Sequence, residues 1–232
     1  MKTLLLKFAG PLQSWGTGSH FETRHTDRYP SKSAVVGYLG AGLGYRRNDD
    51  RIQDLNYLQY AVRVDQEGHI LRDYQTAKKY KSNGDLERTY VTNRYYIEDA
   101  VFVVAIGSED NEQIISLAEK IHKPYIQPYL GRRSLPPTAD SFLGIRETDA
   151  IASLTSLQWQ AAEWYQKSHS GHIPIYADAE LLPDIVGDSY RKDIAVSFSN
   201  RGRKYLSRAE KKIYIDVIRE VVEHDAFGAL GE

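Results

Sequence analysis

Apolar and polar positions along the chain alternate between a strand-like period of two and a helix-like period near 3.6. Residues 2 to 9, KTLLLKFA, form a short apolar run closed by Gly10-Pro11, which predicts a buried strand ending in a turn. No period holds from Leu12 to Pro30, and a loop of that length is usually functional. Ser31 stands at the N-cap of a helix reaching about Leu43, where Val35, Val36, Leu39 and Leu43 share a face and Gly37, Gly40 and Gly42 permit close packing on a sheet. A second short helix is predicted over Asp49 to Leu58. Tyr60 to Val64 then alternates as a strand, with Ala61 and Arg63 on the opposite face.

Ile70 to Lys79 and Glu87 to Ile97 read as two β arms around the polar tip SNGD, whose Asn83-Gly84 pair suits a hairpin turn. The arms carry few aliphatic residues able to build a core, so the hairpin should project. Val101 to Ile106 is an apolar run of strand length. Asn111 to His122 follows as an amphipathic helix that Pro124 ends, with Ile114, Ile115, Leu117, Ala118 and Ile121 able to pack on the sheet. With an extended stretch at Tyr125 to Leu130, the order becomes βαββαβ with a hairpin inserted. The predicted class is α+β: a ferredoxin-like (RNA-recognition-motif-like) domain over residues 1–148, with an inserted β-hairpin thumb at about 70–97. Beyond about Thr148 the helical signal fades, and residues 149–232 are expected to form a small β-rich C-terminal lobe.

Composition sharpens the picture in three places. The chain has 232 residues and no cysteine, so thiolate metal sites and disulfides are excluded and a reducing, cytoplasmic setting is expected. The opening MKTLLLKFAG holds too short an apolar run for a signal peptide, and no later run is long enough to span a membrane. A net charge of −1 does not suggest a nucleic-acid binder, yet the charge is uneven. Eight Lys and Arg face only Asp193 and Glu210 between residues 190 and 212, enough for a local phosphate patch. The hairpin carries Arg72, Lys78, Lys79, Lys81, Arg88 and Arg94 against Asp73, Asp85 and Glu87. Many of the 17 tyrosines sit beside cations, as in Arg28-Tyr29, Lys79-Tyr80-Lys81, Arg94-Tyr95-Tyr96, Tyr190-Arg191-Lys192 and Lys204-Tyr205. Rings stack on bases while cations meet phosphates, although tyrosine is also an ordinary strand residue.

Two loops could grip RNA. HFETRHTDRYPSKS at 20–33 sets Arg24, His25, Arg28 and Lys32 ahead of a helix start, where free backbone N–H groups and the hydroxyls of Ser31 and Ser33 would suit a phosphate. PYLGRRSLP at 128–136 gathers Tyr129, Arg132, Arg133 and Ser134 around Gly131, a plausible phosphate and base clamp. Each also fits an ordinary solvated loop. Phosphate-loop, zincin and nucleophile-elbow motifs are absent. The seven histidines, at 20, 25, 69, 122, 169, 172 and 224, form no ligand cluster, and a surface loop explains His169 and His172 better than a metal does. No cofactor is expected. An enzyme reading survives as a metal-independent ribonuclease, which His122-Lys123 with a tyrosine such as Tyr45 could in principle supply.

FAGPLQSWG at 8–16, TRHTDRYPSKSAVVGYLGAGLGY at 23–45, LRDYQTA at 71–77 and PYLGRRSLPPTADSFLG at 128–144 together resemble the Cas-five family of CRISPR-associated proteins, in its type I-E Cascade branch. The likeness runs in order over about the first 145 residues and is looser beyond them. It implies a non-catalytic subunit that binds the 5′ handle of the CRISPR RNA and caps one end of the complex. Its implied neighbours are the Cascade backbone subunit and the large subunit, with target DNA reached through guide pairing. The thumb, carrying Arg72, Tyr74, Lys78, Lys79 and Lys81, should kink the RNA. Carried onto the matching positions, the RNA-binding set is Trp15, Arg24, Arg28 and Lys32 in the N-terminal signature, Arg94 on the return arm, and Tyr129, Arg132, Arg133 and Ser134 in the glycine-arginine loop. A related subunit in type I-C systems cuts repeat RNA itself, and a generic RNA-binding module is the third reading.

Overall fold

Leu4, Leu5 and Leu6 on β1 (Lys2–Ala9) are all fully buried, so both faces of this strand are covered and its apolar run is continuous instead of alternating. The computed structural model describes residues 1–16, 22–183, 187–199 and 202–218; His20, Arg201 and His224 lie outside the described residues. After β1 come the short β2 (Leu12–Gln13) and β3 (Thr23–Arg24), then α1 (Lys32–Gly42) and β4 (Gln59–Gln66). A hairpin of β5 (His69–Tyr80) and β6 (Leu86–Glu98) follows, then β7 (Val101–Ser108), α2 (Asn111–His122) and β8 (Phe142–Arg146). Two short helices, α3 (Ala150–Ser156) and α4 (Glu163–Ser168), precede β9 (His172–Asp178), β10 (Ser189–Ser197) and β11 (Lys204–Asp216).

The fold is mixed α/β, mostly strands with few helices. Seven strands form one antiparallel sheet in the order β10-β11-β9-β4-β7-β1-β8. On one face Leu4, Leu6, Phe8, Tyr60, Val62, Phe102, Val104 and Ile106 meet Val35, Val36 and Leu39 of α1 and Ile114, Leu117 and Ile121 of α2. On the other, Leu5, Ala61, Val103, Ala105, Ile175 and Ala177 meet Ala150 and Leu154 of α3. Capping starts the helices where the chain offers it: the Ser31 Oγ accepts from the Ala34 N–H, and Asp110 accepts from Glu112 and Gln113.

Three expectations change. The strand after α2 is Phe142–Arg146, not the stretch Tyr125 to Leu130, which is held by Tyr125 and Ile126 donating to the Gly42 and Ala41 carbonyls of α1. Helical structure continues past Thr148 in α3 and α4. The strands expected in a separate lobe extend the same sheet, since β9 pairs with β4 across the supposed boundary.

Candidate nucleic-acid interface

The hairpin β5–β6 pairs from His69↔Glu98 to Tyr80↔Leu86, with its only register shift next to the tip. Gly84, at φ +89, turns it, a conformation that favours glycine. Lys78, Lys79 and Lys81 are exposed along its outer half, and Tyr74 is 58% exposed. Arg72 donates to Asn93 across the arms at 3.0 Å, and Lys79 pairs with Glu87 at 2.7 Å.

At the root of the hairpin several predicted residues converge. β3 runs parallel to β6 with Arg24 opposite Arg94, while the Asn93 N–H donates to the Glu22 carbonyl at 2.8 Å. His25 stacks on Tyr95, with ring centroids 5.3 Å apart. The glycine-arginine bend lies against the same strand. Leu130 and Leu135 anchor its two ends in the core, and the Leu130 N–H donates to the Leu135 carbonyl at 2.7 Å. Gly131 sits at φ +90 between them, so close to the Ser14 carbonyl that a Cβ there would lie 1.7 Å from its oxygen. Only glycine fits that seat. Arg132 then reaches over the Tyr96 ring, 4.2 Å from its centroid, and donates to the Tyr95 carbonyl at 3.2 Å and marginally to that of Arg24 at 3.5 Å.

Arg132 is thus half-buried and clamps the bend to β6. Arg133 and Ser134 are exposed beside it, and Tyr129 is half-buried. Arg94 Nε and Arg132 Nη1 are buried with no hydrogen-bond partner among the described residues. Arg24, Arg94, Arg132 and Arg133 therefore lie in one neighbourhood built from three separate segments.

Two predicted contacts lie elsewhere. Trp15 is 1% exposed and stacks on Phe8 at 5.6 Å, so it anchors the loop in the core and is not open to a base. Lys32 is buried, its Nζ 2.7 Å from Asp178 and its backbone N–H donating to Asp193. Distant carboxylates, invisible to local charge counting, take it out of the RNA-facing set. Arg28 is exposed further along the loop, at a shallow cleft shared with Tyr29, Tyr190 and Arg191.

The basic stretch at 190–212 is also partly consumed inside. Arg208 pairs with Asp193 at 2.8 Å and Glu210 at 2.6 Å, with Asp178 at 3.2 Å, while Arg191 reaches Asp27 at 2.8 Å. Burial pushes the Asp178 carboxyl up, against the pull of Lys32 and Arg208. Burial, with the hydrogen bond donated to Glu210, likewise raises the Tyr29 phenol.

Of the residues that a ribonuclease would need, His122 rests on the Phe142 ring and Tyr45 lies under the Arg51 guanidinium. Among the described residues no hydrogen bond or ring contact joins them to Lys123, and no group of three or more His, Asp or Glu could hold a metal. His172 bonds Asp216 at 2.9 Å, and His169 stacks on Tyr165. No helix among the described residues is long and apolar enough to cross a membrane. The sequence did not point to Tyr96 as the platform for Arg132 or to Ser14 as the seat of Gly131. The run Arg94-Tyr95-Tyr96 was the one available signal.

A seven-stranded antiparallel sheet with a projecting hairpin and a cationic root defines a class of protein, and comparison with known proteins gives its family. Residues 3–209 match the family described as CRISPR-associated protein (Cas_Cas5), and the chain belongs to it. It is 37% identical over 186 residues to the CRISPR system Cascade subunit CasD of Escherichia coli (strain K12), covering 73% of this chain and 83% of that relative. A chain of a solved CRISPR RNA-guided surveillance complex superposes with a TM-score of 0.78 at 28% identity, covering 98% of this chain and 97% of that one. A crystal structure of a Cas protein superposes with a TM-score of 0.68 at 30% identity, covering 92% and 95%.

Proposed function

We propose that this chain is the Cascade subunit that holds the 5′ handle of the CRISPR RNA, capping one end of the complex and serving antiviral defence without cutting RNA. The observation that carries the proposal is the convergence of Arg24, Arg94, Arg132 and Arg133 at the root of an exposed cationic hairpin. Kinship with a Cascade subunit and with a chain of a surveillance complex supports the setting. The strand order β4-β7-β1-β8, with α1 between β1 and β4 and α2 between β7 and β8, supports reading this part as a ferredoxin-like domain with the hairpin as its thumb. Residues 1–148 would then grip RNA, and residues 149–232 would brace that surface through the shared sheet. Its partners would be the CRISPR RNA, the backbone subunit and the large subunit, in the cytoplasm.

Exposed arginines gain affinity by releasing counterions, and unstacked handle bases can lie on rings such as Tyr74. The test is handle binding across a salt series. Wild type should weaken steeply with salt, and each of Arg24→Ala and Arg133→Ala should lower the slope by about 0.7. A salt response that is flat, or identical in all three proteins, would refute the proposal. Repeat RNA incubated with the protein in EDTA should stay whole, and specific cleavage would instead establish the ribonuclease.

A further inference from the structure

The face of the C-terminal strands carries a feature that the hairpin root does not absorb. The Arg191 guanidinium lies 4.3 Å over the Tyr29 ring, and Tyr29 stacks on Tyr176 with centroids 3.8 Å apart and planes 12° apart. Lys212 stands next, its Nζ 5.3 Å from the centroid of Tyr176 and 4.6 Å from that of Tyr214. Tyr214 in turn stacks on His172 at 5.0 Å and 6°. Two pairs of rings, each headed by a cation, thus form one file that runs from β10 over the Tyr29 loop to β9 and β11.

The file is closed at one end and open at the other. The Arg191 side chain is 12% exposed and spends itself on Asp27 and the Tyr29 carbonyl, while Tyr29 donates to Glu210. At the far end Tyr214 is 52% exposed, the His172 side chain is 55% exposed, and Lys212 is exposed. The bond between His172 Nδ1 and Asp216 holds that imidazole parallel to the phenol and stacked on it. Cross-strand neighbours hold the open end in register, since Lys212 stands opposite Tyr176 and hydrogen-bonds the Tyr176 and Tyr214 phenols and His172 stands opposite Asp216, and they leave two stacked rings and a cation at the surface.

We infer that the open end, Lys212, Tyr214 and His172, is a second contact for single-stranded RNA, taking one or two unstacked bases on its rings and a phosphate on Lys212. The inference rests on the handle-binding reading and extends it. Rings interleaved with cations suit a planar, anionic ligand. Continuity supports it as well. Arg24 and Tyr29 belong to one loop, which runs from the hairpin root beside Arg94 to the ring of Tyr176. The β4–β9 pairing brings the start of β9, with His172, toward the hairpin end of the sheet.

The test uses the full chain and a fluorescent RNA consisting of the 5′ handle continued by guide sequence. Tyr214→Leu combined with His172→Leu should weaken binding roughly ten-fold for each stacked base lost. Tyr214→Phe keeps the ring and should bind as wild type does. Binding by the double variant within about two-fold of wild type would overturn the inference. A photo-crosslinking benzophenone amino acid at position 214 of the assembled complex removes any doubt over folding: an RNA adduct supports the contact, while a protein adduct or none overturns it. The same probe at position 133 separates the two claims. An adduct at 133 without one at 214 sinks only this second contact, and none at either sinks the handle-binding reading too.

Discussion

Arg132 and Arg133 are neighbours in sequence, but only Arg132 also holds the fold, and truncating each in turn should show it. Arg132→Ala removes a hydrogen bond to the Tyr95 carbonyl at 3.2 Å and a guanidinium 4.2 Å over Tyr96. A hydrogen bond from a charged donor contributes about 1.5–3 kcal/mol, and a cation over a ring about 0.5–2 kcal/mol. Half-burial keeps both near the low end, so the loss should be about 2 kcal/mol. At this chain length that lowers the melting midpoint by roughly 4–8 °C. Arg133 is exposed, so Arg133→Ala should move stability by less than about 0.5 kcal/mol. In thermal melts and handle-RNA anisotropy, Arg133→Ala should therefore lose affinity alone, and Arg132→Ala should lose affinity and stability together. If Arg132→Ala melts with wild type, the clamp described here does not exist in solution and the reasoning fails.

Three further outcomes follow from the geometry. Lys32→Ala leaves Asp178 with Arg208 as its remaining cation, which should cost about 1–3 kcal/mol in denaturant unfolding while the folded protein keeps its RNA affinity. An RNA defect in the folded protein would restore Lys32 to the interface. Gly131→Ala must move the bend off Ser14 and out of its φ of +90, so a strain cost of about 1–3 kcal/mol and weaker handle binding are expected; unchanged melting and binding would contradict this packing. The hydrogen bond from Lys7 holds the Asp140 carboxyl below its ordinary 3.8. A depressed carboxylate stabilises above its unfolded value and loses that contribution as pH falls through the lower folded one. Acid titration should thus show a loss below about 1 kcal/mol beneath pH 4, absent in Asp140→Asn, and identical acid limbs would dismiss the Lys7–Asp140 pair.

Much of the architecture was legible because it is local. The Ser31 cap, the Asn111–His122 period and the Asn83-Gly84 turn each lie within a few residues of what they control. Tyr125 to Leu130 misled because its buried residues serve a bend, with Leu130 anchored in the core, whereas β8 is short, only half-buried and interrupted by Gly144 at φ +105. Arg24, Arg94 and the glycine-arginine bend could be named in advance, but the role of Arg132 could not, because Tyr96 meets it only through tertiary packing. Lys32 and the cations of 190–212 misled for the same reason. Their carboxylates are brought in by strand register, and Asp178 stands 146 positions from Lys32.

The pairing of β9 with β4, joined to the Lys32–Asp178 contact, makes the two ends of the polypeptide interdependent. A version cut after residue 148 would bare one edge of β4 and leave Lys32 without its partner carboxylates. Such a fragment would recruit copies of itself along that open edge sooner than it would bind a nucleotide. β4, the strand that leads into the hairpin, thus has its outer edge covered by strands from the far end of the sequence.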